Sequence, residues 1–100
     1  AGGVRIQETG IDLGVALALS STTRRTSIPQ ELVCIGEVGL SGEVRSVPQL
    51  ELRLLEAEKL GFKSAVIPAV DRDKISIEFN SLKLKWVSTL QAALDASGLA

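Results

Sequence analysis

The sequence predicts an α/β (α+β) fold, one domain over residues 1–100 with a mixed sheet and about three helices. Three observations carry this. Leu32-Val33-Cys34-Ile35 is a continuous apolar run, as expected of an interior strand covered on both faces. Leu50, Leu54 and Ala57 recur at i, i+4, i+7, Gly61 follows, and Ser64-Ala65-Val66-Ile67 reads as a buried strand, so helix and strand alternate as in a β-α-β crossover. Between them lies Gly36-Glu37-Val38-Gly39-Leu40-Ser41-Gly42-Glu43-Val44-Arg45, whose glycines at 36, 39 and 42 let a strand end, turn tightly and restart.

The remaining elements follow in chain order. Val4 and Ile6 alternate with Arg5 and Gln7 in a first half-buried strand, before a turn around Thr9-Gly10. Asp12 then stands at the N-cap of a helix whose first part, Leu13 to Leu19, has no polar face and must be buried. Thr26-Ser27-Ile28-Pro29 is a loop. The second helix runs from about Gln49 to Leu60, with Arg53 and Leu60 flanking the apolar stripe and Leu52 and Leu55 opposite it. Past a charged turn at Asp71 to Lys74, Ile75, Ile77 and Phe79 alternate with polar residues, as a hairpin partner or an irregular segment, and Leu82, Leu84 and Trp86 alternate with Lys83 and Lys85. Ser88 caps a last helix that Ser97-Gly98 ends.

Composition bounds the function. One hundred residues with 45% hydrophobic side chains can bury a core without staples, and with three aromatic residues that core is aliphatic. A single cysteine, Cys34, forms no intramolecular disulfide, and the absence of histidine removes imidazole metal ligands, which points to a reducing cytoplasm. The net charge of −1 gives no global attraction to nucleic acid or an anionic membrane, so either contact needs a local patch. The apolar stretch from Ile11 to Leu19 is about half the length that crosses a bilayer, so no membrane partner is expected. The opening Ala1-Gly2-Gly3-Val4 and the lack of methionine point to a piece of a longer polypeptide.

Neither a phosphate-binding Gly-x-x-x-x-Gly-Lys-Ser/Thr loop nor a dinucleotide Gly-x-Gly-x-x-Gly is present. Without histidine, a serine–lysine dyad is the main nucleophilic system left open. Cys34 reads as a small core residue and Ser41 as a turn residue.

Several words of the chain, taken together, carry a resemblance: Gly2-Gly3-Val4, Asp12-Leu13 into Val15-Ala16-Leu17-Ala18, the Gly36 to Arg45 run with its paired Glu37 and Glu43, and Glu56-Ala57 through Gly61-Phe62-Lys63 to Ile67-Pro68. Over nearly its whole length the chain resembles the proteolytic domain of Lon, and more closely the C-terminal Lon-like domain of RadA-type (Sms) DNA recombination and repair ATPases. The resemblance implies a Lon proteolytic-domain-like fold. It also implies a role in homologous recombination and branch migration, with a hexameric ring of identical subunits and DNA and a recombinase as partners. ATP, magnesium and zinc belong, by the same resemblance, to segments N-terminal to this one, and no cofactor is expected here.

In Lon-type proteases the nucleophile stands in a Gly-Pro-Ser-Ala-Gly word, where this chain reads Gly10-Ile11-Asp12-Leu13-Gly14. Matching Gly36-Glu37 and Gly61 through Pro68 puts Arg53 at the position of the lysine base. A carboxylate has no hydroxyl to attack a peptide, and a guanidinium accepts no proton at neutral pH, so peptidase activity should be absent. The degenerate pair, Asp12 and Arg53, is expected to meet as a partly buried ion pair. Arg24, Arg25, Lys83 and Lys85 are the candidate DNA contacts, and Leu52 and Leu55 the candidate subunit contact. The expected function is a non-proteolytic domain for oligomer assembly and DNA engagement. The alternatives are an active serine–lysine ATP-dependent protease domain and a Lon-like domain of another AAA+-linked protein without a DNA role.

Overall fold

The computed structural model describes residues 10–14, 16 and 31–98. Among the described residues, six strands form two sheets. β1 (Gly10–Asp12), β3 (Glu37–Gly39) and β4 (Val44–Arg45) make an antiparallel sheet in the order β1-β3-β4. β2 (Leu32–Cys34), β5 (Ser64–Pro68) and β6 (Lys83–Val87) make a parallel sheet in the order β2-β5-β6. The parallel and antiparallel pairings expected of one mixed sheet are thus divided between two sheets. The chain passes from one to the other through Ile35 and Gly36. Ile35 N–H donates to Val66 O at 2.9 Å, and Gly36 O accepts from Leu13 N–H at 2.8 Å.

The parallel sheet separates two cores, and the alternation of its side chains explains why its strands read as unbroken apolar runs. Leu32, Cys34, Val66 and Val87 pack with Leu13, Val38, Val44, Ala93 and Leu94 on one face. Val33, Ile35, Ala65, Ile67, Leu84 and Trp86 pack with Leu50, Leu54, Ala57 and Leu82 on the other. β5 lies in the middle, with Ala65, Val66 and Ile67 completely buried.

α1 (Leu50–Lys59) covers the second face with the stripe Leu50, Leu54 and Ala57. It begins one residue after the expected start at Gln49, which takes a left-handed conformation (φ 56°) as the N-cap while its carbonyl accepts from Arg53 N–H. It ends in a Schellman motif: Gly61 (φ 94°) donates to Glu58 O, and Phe62 N–H reaches Ala57 O at 3.1 Å. Gly61→Ala is therefore expected to cost about 1 kcal/mol, since a Cβ disfavours the left-handed region; urea unfolding would measure it.

A 3-10 helix, Ala69–Lys74, follows β5, and residues 75–79 form no strand. Carboxylates on α1 hold that irregular segment at both ends. Glu51 Oε2 accepts from Ser76 N–H and Ile77 N–H, and Glu58 Oε2 accepts from Ser81 N–H and Ser81 Oγ. α2 (Leu90–Ala96) is capped by Thr89, whose Oγ1 accepts from Ala92 N–H at 3.1 Å. Ser88, the expected cap, instead gives its carbonyl to Val44 N–H, which joins the two ends of this layer.

The strand expected around Val4 and Ile6 lies outside the described residues, as does most of the first helix, of which Leu13, Gly14 and Ala16 are helical. Gly10 belongs to a strand and not to a turn, because β1 pairs with β3 in the register Gly10↔Gly39, Ile11↔Val38 and Asp12↔Glu37. Of the glycines in the 36–42 run, Gly42 alone has positive φ (83°). Gly36 and Gly39 are closely surrounded by side chains instead. A Cβ on Gly36 would stand 3.2 Å from Val44 Cγ1, and one on Gly39 would overlap the Glu43 carboxylate and lie 2.7 Å from Arg45 Nε.

Candidate functional site

The two degenerate dyad positions sit on different sides of the parallel sheet. Asp12 ends β1 and is exposed, with Oδ1 only 2.9 Å from where a Cβ on Gly14 would stand, so its carboxylate curls over the first helical turn as an N-cap does. The next residue, Leu13, is buried in the core on the α2 side. Arg53 lies on α1, which covers the other core, and is exposed. Its Nε donates to Pro48 O at 3.1 Å, which ties the guanidinium back to the start of its own helix. The partly buried ion pair expected between Arg53 and Asp12 is not formed. The helical flank position that favoured burial of Arg53 is open to solvent, and the long side chain turns back along the helix.

Asp12 bears weakly on Cys34. Burial pushes the Cys34 thiol up to about 11, a hydrogen bond with Ser97 works against that, and the Asp12 carboxylate adds to the rise. At neutral pH Cys34 is a thiol packed against the core, not a nucleophile.

A serine–lysine contact does exist, but elsewhere. Lys74 Nζ lies 3.2 Å from Ser46 Oγ, while Ser46 Oγ donates to Asp71 Oδ1 at 2.6 Å. Asp71 is fully buried; Oδ2 accepts from Val47 N–H at 3.2 Å and Oδ1 pairs with Lys74 Nζ at 3.2 Å. Burial by itself raises the Asp71 pKa, but the bonds from Ser46, Val47 and Lys74 outweigh it and hold the carboxyl below the usual aspartate range. The proton inventory runs against nucleophilic catalysis. The ammonium is a donor held by a buried carboxylate, the serine proton is given to that carboxylate, and a carboxylate stabilised in this way is a poor base. The cluster fastens the Ser46–Val47 loop to the 3-10 helix.

A second charged group stands on the antiparallel sheet. Arg45 bonds Glu43 through Nε (3.2 Å) and Nη2 (3.0 Å) and approaches Glu37, its cross-strand partner, at 3.7 Å. The Glu43 carboxyl is held below its ordinary range by its own backbone N–H first and by Arg45 second. The paired glutamates legible in the sequence thus clamp one arginine over Gly39.

Leu52 and Leu55, the residues expected at a subunit contact, lie on the outer face of α1. Leu52 is 61% exposed, and with Leu55, Glu56 and Lys59 it lines an open groove of about 350 Å3. Of the candidate DNA contacts, Arg24 and Arg25 lie outside the described residues, and Lys83 is exposed. Lys85 is half-buried and its Nζ donates to Ala96 O at 3.2 Å, which closes the end of α2. Sequence reasoning missed Asp71. The i, i+3 pairing of Asp71 with Lys74 was a readable signal, whereas the burial of Asp71 depends on the fold. Among the described residues no group of three or more His, Cys, Asp or Glu could hold a metal ion, and no helix is long and apolar enough to cross a membrane.

Residues 2–71 match the family model described as subunit ChlI of Mg-chelatase. The chain belongs to the ChlI family. This ChlI-family chain is also similar to several proteins named DNA repair protein RadA. It is 48% identical to the Haemophilus influenzae protein over 95 residues, 94% of this chain and 21% of that protein. It is 48% identical to the Escherichia coli protein over 94% of this chain and 20% of the relative, and 41% identical to the Aquifex aeolicus protein over 95% and 20%. The ChlI-family chain spans about a fifth of the length of the curated relatives it matches.

Proposed function

We propose that this chain is the non-proteolytic, Lon-like domain of a RadA-type DNA recombination and repair ATPase, acting in subunit assembly and DNA engagement. The similarity to proteins named for DNA repair supports the setting. The observation that carries the assembly role is the outer face of α1, where Leu52 and Leu55 line an apolar groove left uncovered by the described residues. ATP, magnesium and zinc then belong to other parts of the longer protein, which works in the cytoplasm as a homo-oligomer, of hexameric form in the resemblance, alongside a recombinase. Lys83 leads the DNA contact, because Lys85 is engaged at the end of α2.

The protease reading has one observation in its favour, the Ser46–Lys74 contact, and the proton inventory at Asp71 opposes it. Incubation with an unstructured protein substrate is expected to give no turnover. Turnover abolished by Ser46→Ala, Asp12→Ala or Arg53→Ala would restore the protease reading. DNA engagement is tested by titrating a DNA duplex at several salt concentrations. Lys83→Glu is expected to weaken binding and to flatten the slope of log K against log salt by about 1, and an unchanged slope would remove Lys83 from the interface.

A further inference from the structure

Leu40 is 87% exposed, more than any other large apolar side chain among the described residues. It sits at the tip of the β3–β4 turn, and that tip is held tightly. Gly39 N–H donates to Glu43 O at 2.8 Å, Gly42 N–H to Gly39 O at 3.0 Å, Ser41 N–H to Glu43 Oε1 at 3.0 Å and Leu90 N–H to Gly42 O at 2.8 Å. A turn fixed on both sides cannot fold back to bury its own leucine. The α1 groove has the converse form. Leu52 and Leu55 line a concavity of about 350 Å3, larger than a leucine side chain, with Glu56 and Lys59 at its edge.

The charges around the two features complement one another. Glu43 and Arg45 stand at the base of the turn with side chains 44% and 37% exposed, and Lys59 and Glu56 stand at the groove. The acid and base of one feature can face the base and acid of the other. We infer that Leu40 of one copy of this chain seats in the Leu52–Leu55 groove of the next, with Glu43 toward Lys59 and Arg45 toward Glu56. This rests on the assembly role proposed above and gives it a geometry. Two different surfaces meet, so the contact is head-to-tail and propagates from copy to copy, closing into a ring where the rotation permits.

The test mixes two variants of the full 100-residue chain, Leu40→Cys and Leu52→Cys, under mild oxidation. Native Cys34 is a poor competitor, being packed against the core with its thiol pushed up to about 11. A disulfide-linked dimer is expected in the mixture and not in either variant alone. In light scattering, Leu40→Asp is expected to weaken self-association about tenfold or more while leaving the circular dichroism spectrum intact. Leu52→Cys that crosslinks to itself would show a helix-to-helix contact and overturn the inference. An oligomer undiminished by Leu40→Asp would overturn it while leaving assembly standing, and a wild-type chain that is monomeric at every concentration would overturn both.

Discussion

Leu54→Ala is expected to lower the unfolding free energy by about 3–5 kcal/mol, the largest single effect in the second core. Leu54 is completely buried, and it is the middle residue of the stripe by which α1 meets Ala65 and Ile67 of the central strand. Removal of its branched end loses apolar transfer energy and leaves a cavity. α1 and β5 close on that cavity only partly, because Leu50 and Ala57 hold the helix on either side. A domain of this size has a total stability of about 5–15 kcal/mol, so the variant should sit near the edge of folding at 37 °C. Urea unfolding followed by the fluorescence of Trp86, which packs against the same core, measures the loss directly. A cost under about 1 kcal/mol would mean that α1 does not dock as described.

Asp71→Ala is expected to cost about 1–3 kcal/mol, because it leaves the part-buried Val47 N–H and the Ser46 hydroxyl without their acceptor and removes the partner of Lys74. The same carboxylate gives a pH signature. Its folded pKa lies below its unfolded value, so the stability it contributes is fully present above the ordinary aspartate range and is lost as pH falls through the lower folded value. The wild-type unfolding midpoint should therefore drop more steeply below about pH 4 than that of Asp71→Asn, which has no proton to gain. Parallel curves for the two chains would show that Asp71 titrates as it does in the unfolded state.

The parts of the fold set by local periodicity were legible in the sequence. The Leu50/Leu54/Ala57 stripe with Gly61 after it placed α1, and the apolar runs at residues 32–35 and 65–67 placed two parallel strands, because alternate side chains entering two cores leave no polar positions. Elements set by distant partners were not. β1 is a strand because Gly10 and Ile11 pair with Gly39 and Val38, and no propensity in Gly10-Ile11-Asp12 declares that. Gly36 and Gly39 do not use the left-handed freedom read from the sequence; side chains of neighbouring residues stand close to where a Cβ would be.

The candidate site divides along the same line. The exposure of Leu52 followed from the helical period, while the outward path of Arg53 and the burial of Asp71 depend on what the fold places beside them. Lys83 and Lys85 look alike in the sequence, yet α2 ends against Lys85 alone.

The assembly role proposed for this domain rests on the outer face of α1. Multi-angle light scattering across a wide concentration range tests it most directly. The expected mass is a multiple of the 10.6 kDa chain and falls toward the monomer when Leu52 is replaced by Asp. A mass of 10.6 kDa for the unaltered chain at every concentration would contradict it.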